Sequence, residues 1–140
     1  MLKDYDINAL SHFAAMVREE KGAQEWLVEN GYRELSEFWD AYTGIEKSFK
    51  WLLENGYKHL AAAVDAASGQ DKAKLWLIAN GYRELALFIS ATEGNKAAVA
   101  VLLKSQYKGL VGVSHEIYEY NRKRSKGLRG FFNTLNPFGH

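Results

Sequence analysis

Apolar residues recur along this chain with two periods at once. Within short stretches they fall at i, i+3, i+4 and i+7, the spacing of one helix face. The stretches themselves return every 25 residues. Trp26-Leu27-Val28-Glu29-Asn30-Gly31-Tyr32-Arg33-Glu34-Leu35 comes back as Trp51-Leu52-Leu53-Glu54-Asn55-Gly56-Tyr57-Lys58-His59-Leu60, then as Trp76-Leu77-Ile78-Ala79-Asn80-Gly81-Tyr82-Arg83-Glu84-Leu85. A blurred copy follows at Val101-Leu102-Leu103-Lys104-Ser105-Gln106-Tyr107-Lys108-Gly109-Leu110. A fixed period without insertions marks a repeat protein.

Each unit predicts two short helices. In the second repeat, helix A covers about Glu46–Asn55 and helix B about Lys58–Ser68. The Asn-Gly pair between them reads as a helix stop. Asn55 takes the C-cap, Gly56 the left-handed position, and Tyr57 packs back on Leu52 in a Schellman motif. Leu27 with Tyr32 and Leu77 with Tyr82 repeat the arrangement. Helix B buries Leu35, Phe38, Trp39 and Tyr42, then Leu60, Ala63, Val64 and Ala67, then Leu85, Phe88, Ile89 and Thr92. Ala41, Ala66 and Ala91 are small enough for close helix approach, and Gly44, Gly69 and Gly94 end each helix B. One helix pair buries too little apolar surface to offset the ordering of its own backbone, so the units must stack.

The expected fold is therefore all-α: an α-solenoid, or αα-superhelix, of antiparallel helix pairs. A half repeat at 4–20 is followed by repeats at about 21–44, 45–69, 70–94 and 95–117. Residues 118–140 form a helix extension to about Arg124 and a basic, aromatic tail. In the fourth repeat Gln106 replaces the glycine, so either the turn changes or Gln106 enters the left-handed region.

The run Gly69-Gln70-Asp71-Lys72-Ala73-Lys74-Leu75-Trp76-Leu77-Ile78-Ala79-Asn80-Gly81 resembles the second helix of an ankyrin repeat: a glycine, an apolar helix and a second glycine twelve positions on. Gly44 to Gly56 has the same spacing, and Ala41, Ala66 and Ala91 match the small residue of that family's first helix. The period is shorter than the family's, which is about 33 residues, and the segment of the β-hairpin fingers is missing. Leu85-Ala86-Leu87-Phe88 stands where the family has Thr-Pro-Leu-His. The resemblance, over about residues 7–117, implies a fingerless ankyrin-like scaffold that binds a partner, with no catalytic or cofactor role.

Composition adds three points. No cysteine is present among the 140 residues, which removes disulfide and thiolate chemistry. The opening Met1-Leu2-Lys3-Asp4-Tyr5-Asp6 is too acidic for a signal peptide, and no apolar stretch approaches a membrane span of about 20 residues, so a cytoplasmic protein is expected. Of 18 basic and 17 acidic side chains, five basic residues but only one acid, Glu119, stand after Ile117. A mildly acidic body thus carries a basic tail.

Catalytic chemistry finds little support. The histidines at 12, 59, 115 and 140 lack metal-ligand spacing, and His59, in the slot of Glu34 and Glu84, reads as a solvated helix position. Ser114-His115-Glu116 are neighbours on a helix, pointing about 100° apart, and cannot align as a triad. No glycine loop cradles a phosphate. No enzyme activity, cofactor, metal or small-molecule substrate is expected.

Three features point to binding. Arg33, Lys58, Arg83 and Lys108 form a ladder about 10 Å apart in a stack, suited to an acidic partner or solvated beside Glu34 and Glu84. Ser36, Glu37, Asp40, Ala61, Ala62, Asp65, Ala86, Leu87 and Ser90 vary between repeats and are expected on one exposed, concave face. In the tail, Arg122, Lys123, Arg124, Lys126 and Arg129 precede Phe131 and Phe132, which suggests either a cap on the last repeat or a membrane or nucleic-acid contact. Trp26, Trp51 and Trp76 read as inter-repeat core, and Trp39 as filler beside the half repeat. The expected function is a non-enzymatic scaffold binding a protein or peptide on the helix-B face. The alternative is an adaptor acting on a membrane surface or nucleic acid through the tail.

Overall fold

A computed structural model of the chain describes residues 5–135, with side chains through Ser125. Among the described residues every regular element is helical: α1 (Ile7–Val17), α2 (Ala23–Glu29), α3 (Arg33–Tyr42), α4 (Glu46–Glu54), α5 (Lys58–Ala67), α6 (Asp71–Ala79), α7 (Arg83–Thr92), α8 (Lys96–Leu103) and α9 (Leu110–Leu135). α3, α5 and α7 begin at Arg33, Lys58 and Arg83, in step with the 25-residue sequence period.

The helix stops follow from local chemistry. Past α4, Tyr57 donates its backbone N–H to the Leu52 carbonyl at 2.8 Å, and Gly56 has φ 85°. Tyr32 to Leu27 and Tyr82 to Leu77 repeat this bond at the same length. The inner helices end alike: Ile45 to Asp40, Gln70 to Asp65 and Asn95 to Ser90, each across a left-handed glycine. Both kinds of helix thus close with Schellman bonds, which satisfy carbonyls that a helix end otherwise leaves free.

Two ends differ from this pattern. α1 stops at Val17, short of the expected residue 20, because Glu19 occupies the glycine place with φ 62° and Glu20 bonds back to the Ala15 carbonyl at 2.9 Å. At Gln106 it is the turn that changes. α8 ends at Leu103, and the Ser105 hydroxyl takes the Tyr107 N–H at 3.0 Å while donating to the Leu102 carbonyl at 2.8 Å. No strained glutamine is needed.

Packing arranges the helices in two layers. α2, α4, α6 and α8 form the outer layer, and each sinks one fully buried leucine, Leu27, Leu52, Leu77 or Leu102. α1, α3, α5, α7 and α9 lie inside, each touching the next, and α9 also packs along α1. The inner helices therefore close on themselves. Leu10, Phe13, Leu35, Phe38, Leu60, Leu85, Phe88 and Leu110 meet at the centre around a void of about 10 Å³, space for at most one water. Phe13 on α1 reaches Phe38 on α3 at 6.0 Å and Phe88 on α7 at 6.5 Å, both edge-on.

The seam between first and last helix has its own chemistry. Gly109 lets Leu10 approach, and the Arg18 guanidinium pairs with Glu116. α9 runs on to Leu135, well past the expected end near Arg124. Tyr120 of this helix meets Trp39 edge-on at 4.9 Å, and Asn121 accepts from the Tyr42 hydroxyl at 2.9 Å while donating to the Thr92 carbonyl at 3.3 Å. Trp39 is thus the seat of α9, a partner that its own neighbourhood in the sequence does not reveal.

Candidate binding surface

The outer helices build the accessible face. In the sequence Trp-Leu-x of the first three units, and in Val101-Leu102-Leu103 of the fourth, the leucine at the second place is buried and the third residue points outward. Val28, Leu53, Ile78 and Leu103 are 46, 47, 49 and 55% exposed, one on each outer helix. Leu75 and Val101 widen this row on α6 and α8. Exposed apolar residues scattered singly are normal, whereas a row continuing over four helices is a candidate contact surface. All four positions are apolar in the sequence, where the repeat pattern alone does not distinguish them from core.

The ladder of bases runs beside this row. Arg33 lies over the Trp51 ring at 4.6 Å and pairs with Glu37 at 3.1 Å. Lys58 lies over Trp76 at 5.1 Å. These two bases thus reach the tryptophan of the next unit, while Arg83, for which that position holds Val101, and Lys108 are exposed and lie over no ring among the described residues. Trp26, Trp51 and Trp76 are half-buried and stacked on Tyr32, Tyr57 and Tyr82, so they edge the core rather than fill it.

Neither Glu34 nor His59 is solvated. Glu34 is buried and accepts from the Tyr57 phenol; burial holds its carboxyl above the usual carboxylate range. His59 is buried too, stacked on Tyr82 at 4.8 Å with its Nε2 unpaired, and desolvation lowers its pKa. The expectation of a solvated histidine is therefore corrected: the tyrosine of the following turn covers the site.

The variable helix-B face is also not an open concave wall. Ser36, Ala61 and Ala86 are buried beneath the outer helices. Glu37, Asp40, Ala62, Asp65, Leu87 and Ser90 are half-buried. The central groove, of about 290 Å³, runs between α4 and α6 and is lined by Phe49, Leu53, Lys58, Ala62, Asp65 and Trp76 among others. In the tail, Arg122, Lys123 and Arg124 are exposed, with Arg122 paired to Glu119 at 2.8 Å. The side chains of Lys126, Arg129, Phe131 and Phe132 lie outside the described residues, so the choice between cap and contact falls there as well.

Among the described residues no three His, Asp or Glu side chains are grouped to hold a metal ion. No described helix is long and apolar enough to cross a membrane. Ser114 is buried with its hydroxyl on the Val111 carbonyl at 2.7 Å, and Glu116 is held by Arg18. No family model, curated protein or solved structure matches this chain.

Proposed function

We propose that this chain is a non-enzymatic binding scaffold: a short, ankyrin-like stack of 25-residue helix pairs, without fingers and with its first and last inner helices in contact, that grips a protein or peptide. The observation that carries the reading is the exposed row Val28, Leu53, Ile78 and Leu103. Burying such residues against a partner yields about 25 cal/mol per Å² of apolar area, and about half of each stays exposed among the described residues. The bases Arg33, Lys58, Arg83 and Lys108 flank the row and favour a partner with acidic positions. The groove between α4 and α6 exposes Ala62 and Asp65, and the matching half-buried positions Glu37 and Leu87, Asp40 and Ser90 carry different side chains, so that each unit offers a partner a different contact.

The test is retention of extract proteins on the immobilised chain and on a Leu53→Ser/Ile78→Ser variant. Proteins held by the former and lost from the latter are the expected partners. Equal retention by both would refute the outer-face reading.

A second reading is an adaptor for an anionic membrane or nucleic acid, favoured by the exposed Arg122, Lys123 and Arg124 on a helix that continues to Leu135. Binding to anionic vesicles or RNA that falls steeply with salt, and that is lost on truncation at Ser125, would establish it.

A further inference from the structure

The three full hairpins place one outer-helix side chain over the same spot on the inner helix. In the first, Gln24 on α2 donates to Ser36 at 2.9 Å and to the Asp40 carboxylate at 3.0 and 3.1 Å. In the third, Lys74 on α6 donates to Ser90 and to Glu93, both at 3.2 Å. The same position in the second hairpin is Phe49, which has no donor. Asp65, the counterpart of Asp40 and Ser90, is left half-buried with no side-chain partner among the described residues, and burial raises its pKa. It lines the central groove, whose walls Phe49, Leu53 and Trp76 are apolar.

We infer that this groove receives a lysine or arginine side chain of a partner protein, with the Asp65 carboxylate as its counter-ion. The inference deepens the scaffold reading and rests on it. An incoming stem lies along Phe49 and Trp76 while its charged head reaches Asp65, the way long basic side chains cover apolar surface. The head supplies from outside the donor that Gln24 and Lys74 supply from within. Lys58 and Lys72 also line the groove. Both are exposed, and Lys58 sits over Trp76 rather than on Asp65. They meet what flanks the incoming base, so acidic neighbours on the partner segment fit. The half-buried carboxylate decides what enters.

The test uses a random peptide library displayed on phage and selected on the intact protein. Recovered peptides are expected to share a lysine or arginine with acidic or apolar neighbours. Asp65→Asn should weaken their binding about tenfold or more, the effect of losing one charge-assisted hydrogen bond. Phe49→Gln, which restores the internal donor of the first hairpin, should weaken it similarly with Asp65 still in place. Thermal melts of both variants establish that they fold. Peptides without a shared base, or binding unmoved by Asp65→Asn, would overturn the site and leave the scaffold reading to its own extract experiment. Recovery of no peptide on any face counts against both.

Discussion

Tyr118 of α9 lies so close to Gly94 that a Cβ added to the glycine would stand 2.8 Å from its ring carbon Cε1. Gly69, at the same place one unit earlier, faces open space. Both have left-handed backbones, φ 89° and 99°. Gly69→Ala therefore meets backbone strain alone and should cost about 1 kcal/mol. Gly94→Ala adds a collision with a large ring and should cost about 2–3 kcal/mol. Denaturant melts of the two variants compare them directly, and Tyr118→Ala in the Gly94→Ala background should recover part of the difference. Equal costs at both glycines would show that α9 does not press on this turn.

Glu19 is the left-handed residue that ought to have been a glycine. It sits 25 residues before Gly44 with φ 62°. Glu19→Gly should raise stability by about 0.5–1 kcal/mol, with strain relief exceeding the added freedom of the unfolded chain. A melting temperature that falls would mean the exposed carboxylate contributes more than its backbone costs.

His59 ties stability to pH. Desolvation holds its folded pKa below the ordinary 6.5, so in the window between these two values the unfolded chain binds more protons. Stability should decline as pH drops through that window and rise again on returning to neutrality. His59→Gln should flatten this part of the profile. Glu34 acts oppositely: its folded pKa is raised, so acidification from that value toward 4.5 favours the folded state. Chemical denaturation at a series of pH values separates the two, and an unchanged slope in His59→Gln would remove His59 as the cause.

Leu52 and Leu53 are neighbours with opposite tasks. Leu52 is fully buried, and Leu52→Ala should cost about 2–5 kcal/mol through lost transfer energy and the cavity left behind. Leu53 is 47% exposed, and Leu53→Ser should stay within about 0.5 kcal/mol of the parent. Urea midpoints measure both. A large loss at Leu53 would place that side chain in the fold's support and weaken its claim as a contact.

The order of elements was legible in the sequence, because helix stops are decided within a few residues. Asn-Gly-Tyr after a buried leucine specifies a Schellman end whatever surrounds it, and Tyr57 on the Leu52 carbonyl is the outcome. The end of α9 was less legible, since its glycines argue for a stop that the helix passes. The surface depended on long-range contacts. Local pattern cannot say which of three successive apolar residues faces the core, and only the packing of the outer layer turns Val28, Leu53, Ile78 and Leu103 outward. His59 looked solvated because its cover, Tyr82, comes from the following turn. Trp39 reads from the sequence as filler beside the half repeat, whereas packing sets it against Tyr120 of α9, and α1 meets α9 because the five inner helices close on one another. The absence of a donor at position 49 could be read by eye. That this position overlies residue 65 is a fact of packing, because the sister pairs Gln24 with Asp40 and Lys74 with Ser90 meet only when the helix pairs fold together.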